Sequence, residues 1–105
     1  MAKLLQKIEQ MRFIVRYSPN FLWQDAQLSK EVHKNLIKQL RFLSDSPRHP
    51  SLQTHEVHGK TGKFGGKIFE AYVTMQYRFT WEYGPDKGEI TLRNVDNHDE
   101  CLQQP

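Results

Sequence analysis

The segment from Tyr77 to Tyr83 constrains the fold more than any other part of this 105-residue sequence. Its aromatic side chains alternate with arginine, threonine and glutamate, and this alternation is typical of a β-strand with one face on a core and the other face open. A Gly-Pro-Asp-Lys-Gly turn follows, and then a second β-rich run from Glu89 to Val95. We therefore predict an antiparallel hairpin for this part of the chain.

The side chains that must be buried set the register of this hairpin. Cross-strand neighbours share a face, so burial of Trp81 together with Ile90 and Leu92 predicts an odd register, for instance Tyr83 opposite Ile90. The other face of the hairpin is then left open, and it carries Arg78, Thr80, Glu82, Thr91, Arg93 and Val95.

Three more side chains are predicted to lie near Arg78. In the preceding run, burial of alternate residues from Phe69 onward places Glu70 and Tyr72 on the open face. His98 follows the second strand of the hairpin, beside the end of the sheet that carries Arg78. A strand arginine and a loop histidine can bind a phosphate and move a proton. The alternative interpretation is a solvated sheet face that carries an arginine by chance.

The N-terminal part of the chain predicts a strand followed by a short helix. Residues 12–17 are β-rich, and the following Ser18 supplies an N-cap oxygen just before a proline, which fits the first helical position. The helix is predicted over residues 19–26, with Phe21 and Leu22 facing inward.

A second, longer helix is predicted to begin after Ser29. Apolar residues recur every three or four positions from Leu28 to Leu43, which is the spacing of a helix with one buried face. The opposite face carries Lys34, Lys38 and Arg41, and it is interpreted as a solvated surface or a contact with nucleic acid.

The order of these elements predicts one α+β domain over residues 1–105, with a small antiparallel sheet and two N-terminal helices packed on one face. Residues 1–10 are interpreted as an optional N-terminal extension, because a second methionine, Met11, directly precedes the first strand. This start is too polar and too short for a signal peptide or a membrane span. A single cysteine, Cys101, excludes an internal disulfide and suits a reducing cytoplasm.

A net charge of +3 and an isoelectric point near 9.1 make a polyanionic partner plausible. The glycine- and lysine-rich segment 59–67 is the predicted anion-binding edge. His55 and His58 are an odd number of residues apart, so on one strand they point to opposite faces, and neither a metal nor another cofactor is predicted.

RNA cleavage is the chemistry that needs the fewest protein groups, because the ribose 2′-OH of the substrate is the nucleophile. The protein must supply a base, an acid and cations for the phosphoryl oxygens. We predict Arg78 as the cation, His98 as the acid and Glu70 as the base. The predicted RNA-binding residues are Lys60, Lys63, Lys67, Arg93, His55 and His58. Burial of Arg78 or His98, or their placement on opposite surfaces, would end the case for catalysis and leave only a shared architecture.

Four short motifs, in this order and spacing, resemble the RelE/ParE superfamily of toxins from toxin–antitoxin systems. They are His49-Pro50-Ser51-Leu52, Val57-His58-Gly59, Tyr77-Arg78-Phe79 and the segment Val95-Asp96-Asn97-His98-Asp99-Glu100. The resemblance covers nearly the whole chain after Met11 and is closest to the RelE, YoeB and YafQ-like messenger-RNA interferases.

The resemblance implies that Arg78 and His98 are catalytic. It also implies cleavage of messenger RNA on the ribosome without a metal, and silencing by a cognate antitoxin in a toxin–antitoxin hetero-oligomer. Three departures stand out. Asp96-Asn97-His98 replaces a frequent Gly-Thr-His, Cys101-Leu102 replaces an aromatic residue, and only Ser51 or Glu56 could supply the base that some relatives carry near the His-Pro-Ser-Leu motif.

Two other functions remain open at this point. A ParE-like protein would poison DNA gyrase through surface contacts and would use neither an acid nor a base. A catalytically inactive relative would bind RNA with a steep salt dependence and release no product.

Overall fold

The computed structural model describes residues 12–98 and residue 105. The expectations for residues 1–10 and for Cys101 lie outside the described residues. The elements, in chain order, are β1 (Ile14–Tyr17), α1 (Pro19–Gln27), α2 (Lys30–Asp45), a 3-10 turn (Pro50–Leu52), β2 (His55–Thr61), β3 (Lys67–Tyr72), β4 (Tyr77–Tyr83) and β5 (Glu89–Asn97).

Both helices begin at the serines that the sequence indicates. Ser18 Oγ accepts a hydrogen bond from the backbone N–H of Phe21 at 3.1 Å, and Ser29 Oγ accepts one from Val32 at 3.2 Å. Each bond satisfies a backbone donor that the first turn of a helix leaves without a partner. No helix of the described part of the chain is long and apolar enough to cross a membrane.

Helix α1 buries one predicted residue and exposes the other. Phe21 lies in the core, but Leu22 is 50% exposed, so its predicted inward orientation is wrong. Consecutive side chains of a helix point about 100° apart, and this short helix presents a narrow stripe to β5.

The sheet has five strands in the order β1-β5-β4-β3-β2. Strands β2 to β5 form consecutive antiparallel pairs, as the α+β prediction required. Strand β1 joins the sheet in parallel with β5, from Ile14 opposite Glu89 to Tyr17 opposite Leu92, and the sequence pattern did not predict this pairing.

The hairpin of β4 and β5 has the predicted register at its turn, with Tyr83 opposite Ile90. A β-bulge then shifts the register, because Trp81 lies opposite Leu92 whereas Thr80 lies opposite Asn94. Beyond the bulge Val95 is buried opposite Phe79, so its predicted position on the open face is wrong. A bulge sets two residues against one, and this reverses the sidedness of the rest of the strand.

The core lies between the helices and one face of the sheet. Trp81 and Phe79 of β4 are fully buried, and the Trp81 ring stacks on Phe69 at a centroid distance of 4.7 Å. Leu36 and Leu43 of α2 belong to the same buried cluster. Because the helices cover this face, the polar side chains of β3, β4 and β5 are directed to the opposite face.

Candidate active site on the open face of the sheet

A row of polar side chains crosses four strands on the face opposite the helices. His55 pairs with Glu70, Glu70 pairs with Thr80, and Thr80 pairs with Asn94. Residues that are directly opposite in neighbouring strands share a face. In the next row Tyr72 pairs with Arg78, so the prediction that Glu70, Tyr72 and Arg78 share a face is confirmed by the register.

Glu70 is the centre of this row and the point on which three basic side chains converge. Its Oε1 lies 3.2 Å from His55 Nε2, 3.7 Å from His98 Nδ1 and 4.0 Å from Arg78 Nε. The side chain of Glu70 is fully buried, and among the described residues neither of its oxygens accepts a well-aligned hydrogen bond. Buried polar groups normally find such partners, so this carboxylate is a candidate for function.

Arg78 is held inside the protein and not on its surface. Its Nη1 donates hydrogen bonds to the main-chain oxygens of Thr74, Met75 and Tyr77 at 2.6, 2.8 and 3.1 Å. The guanidinium carbon lies 3.5 Å from the centre of the Tyr72 ring, a cation–π distance. Only 5% of Arg78 is exposed.

The prediction of one exposed patch made by Arg78 and His98 is therefore wrong for Arg78. The turn between β3 and β4 brings its main-chain oxygens onto the guanidinium, and the strand pattern gives no sign of that contact. This outcome removes the argument for catalysis that used Arg78 and His98 as an exposed pair. The charge of Arg78 is presented to Glu70 instead.

The two histidines of the cluster are accessible. The side chains of His55 and His98 are 50% and 44% exposed. Strand β2 begins at His55, and the backbone N–H of His98 donates to Gln76 O at 2.7 Å. Both nitrogens of His55 face acceptors, Gln53 O at 3.1 Å and Glu70 at 3.2 Å.

Sequence reasoning placed His55 among the RNA-binding residues and missed its contact with Glu70. The contact depends on the register of β2 against β3, where His55 lies opposite Glu70. That register changes between Glu56 and Thr61. The alternation signal in β2 is weak for this reason, since its pairing is irregular along most of its length.

The other predicted RNA-binding residues are distributed along the β2–β3 hairpin and on β5. Lys60, Lys63 and Lys67 are exposed. Glu56 lies 3.4 Å from Lys67 Nζ and 3.6 Å from His58 Nδ1, so these two basic groups share one carboxylate. Surface pairs of this kind are weak and leave the charges accessible to a polyanion.

Arg93 lies apart from the histidines, at the bulge. Its Nη1 forms an ion pair with the buried carboxylate of Glu82, and its Nε donates to the main-chain oxygen of Pro105. Glu82 also accepts hydrogen bonds from the backbone N–H groups of Lys63 and Phe64. The β2–β3 loop thus covers Glu82, which was predicted to be open.

Among residues 12–98 and 105, no group of three or more histidine, cysteine, aspartate and glutamate side chains is arranged to hold a metal ion. What the described site can do is move protons: two accessible imidazoles flank one buried carboxylate, and a buried guanidinium lies beside it.

The arrangement of helices and strands matches that of several solved toxin structures. The chain has the α+β fold seen in solved RelE, YoeB/ParE and YafQ toxin structures, and this confirms the fold expected from the motifs. No protein-family model matches the chain, and no curated protein matches it significantly in sequence.

Three solved structures illustrate the similarity. A chain of the archaeal RelE–RelB complex from Pyrococcus horikoshii OT3 has a TM-score of 0.66 and 12% identity, with coverage of 83% of this chain and 96% of that one. The YoeB/ParE toxin from Agrobacterium tumefaciens gives 0.64 and 9%, with coverage of 82% and 99%. A chain of the E. coli DinJ–YafQ toxin–antitoxin complex gives 0.62 and 14%, with coverage of 85% and 96%. At these identities the likeness establishes the fold.

Proposed function

We propose that this protein is the toxin of a toxin–antitoxin system and acts as a metal-independent endoribonuclease on messenger RNA bound to the ribosome. The observation that carries the proposal is the pair of half-exposed imidazoles, His55 and His98, on the buried carboxylate of Glu70. The RelE-like fold supports the toxin role, and matched structures that are toxin–antitoxin complexes support an antitoxin partner.

In this reaction the ribose 2′-oxygen attacks the adjacent phosphorus. His55 takes the 2′ proton, the bond from phosphorus to the 5′-oxygen breaks, and His98 gives that oxygen its proton. The products are a 2′,3′-cyclic phosphate and a 5′-hydroxyl, so no water, metal or electron is consumed. Two imidazoles of this kind act as one base and one acid near neutral pH.

Glu70 and Arg78 act through the histidines. Glu70 has no exposed surface from which to reach a 2′-OH, so its predicted role as the direct base is replaced by stabilisation of the imidazolium that His55 becomes. A neutral imidazole has one unprotonated nitrogen to accept the 2′ proton, so His55 must turn one nitrogen from Gln53 O or Glu70 toward the 2′-OH. Arg78 balances the charge of the buried carboxylate and holds the turn that carries Gln76, the backbone partner of His98.

The exposed lysines of the β2–β3 hairpin hold the RNA backbone. Lys60, Lys63 and Lys67 lie on the hairpin that begins with His55, so a strand bound along it passes the histidine pair. Phosphate contacts of this type position the nucleic acid without reading its sequence.

The test is cleavage of messenger RNA on ribosomes by the wild type and by His55→Ala and His98→Ala. Each substitution is expected to lower the rate by about 10²–10³-fold, the scale of a lost acid or base.

The matched control is His33→Ala. His33 pairs with Asp25 at 2.6 Å on the helical layer, so its loss removes a histidine without touching the sheet face. A substrate with one 2′-deoxy nucleotide at the cut site should resist cleavage. Cleavage of that substrate would rule out attack by the 2′-oxygen.

A ParE-like function predicts a different result in the same cells. Messenger RNA would stay intact while DNA supercoiling was inhibited, and His55→Ala would remain toxic. The accessible histidine pair favours the nuclease, because a protein that only binds gyrase has no use for two titrating groups around a buried carboxylate.

A further inference from the structure

Three side-chain donors on the open face converge on one oxygen atom. Thr80 Oγ1, Arg93 Nε and Asn94 Nδ2 lie 3.2, 2.9 and 2.8 Å from the main-chain oxygen of Pro105. A single oxygen with three donors, one of them a guanidinium, has the surroundings that favour an anionic oxygen of a phosphate.

The β-bulge builds this arrangement. In a regular strand Arg93 and Asn94 would point to opposite faces. At the bulge Leu92 lies opposite Trp81 and Asn94 opposite Thr80, with Arg93 as the extra residue between them, and both Arg93 and Asn94 donate to Pro105 O. The N-cap of helix α1 holds the backbone at the bulge, because Ser18 Oγ donates a hydrogen bond to Arg93 O at 3.0 Å.

Each donor is also fixed in orientation. Asn20 Nδ2 donates to Asn94 Oδ1 at 2.6 Å, which leaves the amide nitrogen of Asn94 directed at the shared oxygen. The ion pair of Arg93 Nη1 with Glu82 holds the guanidinium plane. Thr80 was predicted to be open but is fully buried, so its hydroxyl has little freedom to turn elsewhere. Donors fixed in advance bind without a further loss of side-chain entropy.

The position of this cluster relates it to the histidines. Thr80 stands between Glu70 and Asn94 in the same cross-strand row, so Asn94 is two strand spacings, about 10 Å, from the carboxylate between the histidines. A groove of about 860 Å³ continues from the cluster to the edge of the sheet and is lined in part by Arg16, Lys63 and Arg93.

We propose that Thr80, Arg93 and Asn94 form a subsite for a phosphodiester of the RNA strand, next to the one that is cleaved, and that Pro105 competes with RNA for it. The subsite rests on the proposed nuclease function for its ligand. The main-chain oxygen of Pro105 has the place of the phosphate oxygen in this structure, so RNA binding displaces that residue.

Binding is measured without cleavage, on a single-stranded RNA oligonucleotide with a 2′-deoxy nucleotide at the cut site. Thr80→Val and Asn94→Ala each remove one donor and are expected to weaken binding about five- to tenfold. Asn94→Asp places a carboxylate against the phosphate and should weaken it further. With ribosomes and cleavable RNA, the same variants should raise KM and leave kcat within about twofold.

Thr54→Val is the matched control. Its hydroxyl also donates to a main-chain oxygen, that of Pro47 at 2.8 Å, but it lies outside the cross-strand row. Wild-type affinity in this control is expected. If Thr80→Val and Asn94→Ala also bind like the wild type, the subsite does not exist, whatever the fate of His55→Ala.

The second arm replaces one phosphate at a time in the oligonucleotide by an uncharged methylphosphonate. One position should weaken binding to the wild type and have no effect on Asn94→Asp, which locates the phosphate. If no position behaves in this way, the assigned ligand is wrong. Loss of cleavage in His98→Ala with an unchanged methylphosphonate profile would show that the two proposals stand separately.

The third arm tests the competition. A chain that ends at His98 should bind the oligonucleotide more tightly than the full chain, and the gain should vanish when Asn94→Ala is added. The urea midpoint of the shortened chain shows whether it is folded. A folded shortened chain with unchanged affinity would overturn the role of Pro105, and tighter binding that persists with Asn94→Ala would do so as well.

Discussion

Glu70 and Arg78 form a buried pair of opposite charges, and the coupling between them can be measured. Glu70 is fully buried and Arg78 nearly so, and the Nε and Oε1 atoms are 4.0 Å apart. At the effective dielectric constant of about 20 that describes such sites, two unit charges at this distance interact by about 4 kcal/mol. The imperfect alignment lowers this figure, so we expect a coupling free energy of about 2–4 kcal/mol.

The experiment is a double-mutant cycle with Glu70→Gln, Arg78→Met and the double variant. Glu70→Gln removes the buried negative charge that lies 4.0 Å from the guanidinium and should lower the free energy of unfolding by about 3 kcal/mol. Arg78→Met also removes the hydrogen bonds to the turn oxygens and should cost at least as much. The free energy of unfolding should fall less in the double variant than the sum of the falls in the two single variants.

Urea unfolding at neutral pH, followed by tryptophan fluorescence, gives the four free energies. Trp81 is a suitable reporter because it is buried in the core beneath the same strand. Additive losses, with a coupling below about 0.5 kcal/mol, would refute the reasoning. The two side chains would then be neighbours without an energetic link, and Arg78 could not act through Glu70.

Two further predictions concern the frame around the site. The guanidinium of Arg16 donates to Glu89 at 2.6 Å and lowers the pKa of that carboxyl below its ordinary 4.5. The stability that the pair contributes is complete above pH 4.5 and is lost as the pH falls through the lowered pKa. In Glu89→Gln the free energy of unfolding should therefore depend less on pH in the acid range. Gly84 has φ +116°, and a Cβ there would lie 2.9 Å from the Phe64 ring. Gly84→Ala should therefore lower the free energy of unfolding in urea by about 1–3 kcal/mol. Gly66→Ala, which has open space around it, should change that free energy by less than about 0.5 kcal/mol.

The sequence predicts those parts of the fold that depend on local signals. Helix α1 begins where a serine precedes a proline, and the hairpin register at Tyr83 follows from alternation on both strands. The bulge beside Thr80 breaks that alternation. Arg93 and Asn94 look like ordinary neighbours in the sequence, and nothing in their identity says that both point to one face. Val95 was misplaced for the same reason.

The candidate site was predicted in part. The shared face of Glu70 and Arg78 follows from alternation, but their burial does not, because the covering groups come from elsewhere in the chain. Main-chain oxygens of a turn surround the guanidinium, and main-chain N–H groups of another loop hold Glu82. The alternation of side chains along a strand does not predict where the main-chain groups of other segments will lie. His55 was missed as a partner of Glu70 because the pairing of β2 is irregular.

The parallel pairing of β1 with β5 has a consequence for biosynthesis. Arg16 and Glu89, which join these strands, are 73 residues apart in sequence. At 5–20 residues per second, a ribosome needs about 4–15 s to make the intervening chain. During that interval the first strand has no neighbour in the sheet, and the last strand is also the one that brings Asn94 and His98 to the open face. The nascent polypeptide therefore cannot assemble a complete site before β5 has been translated.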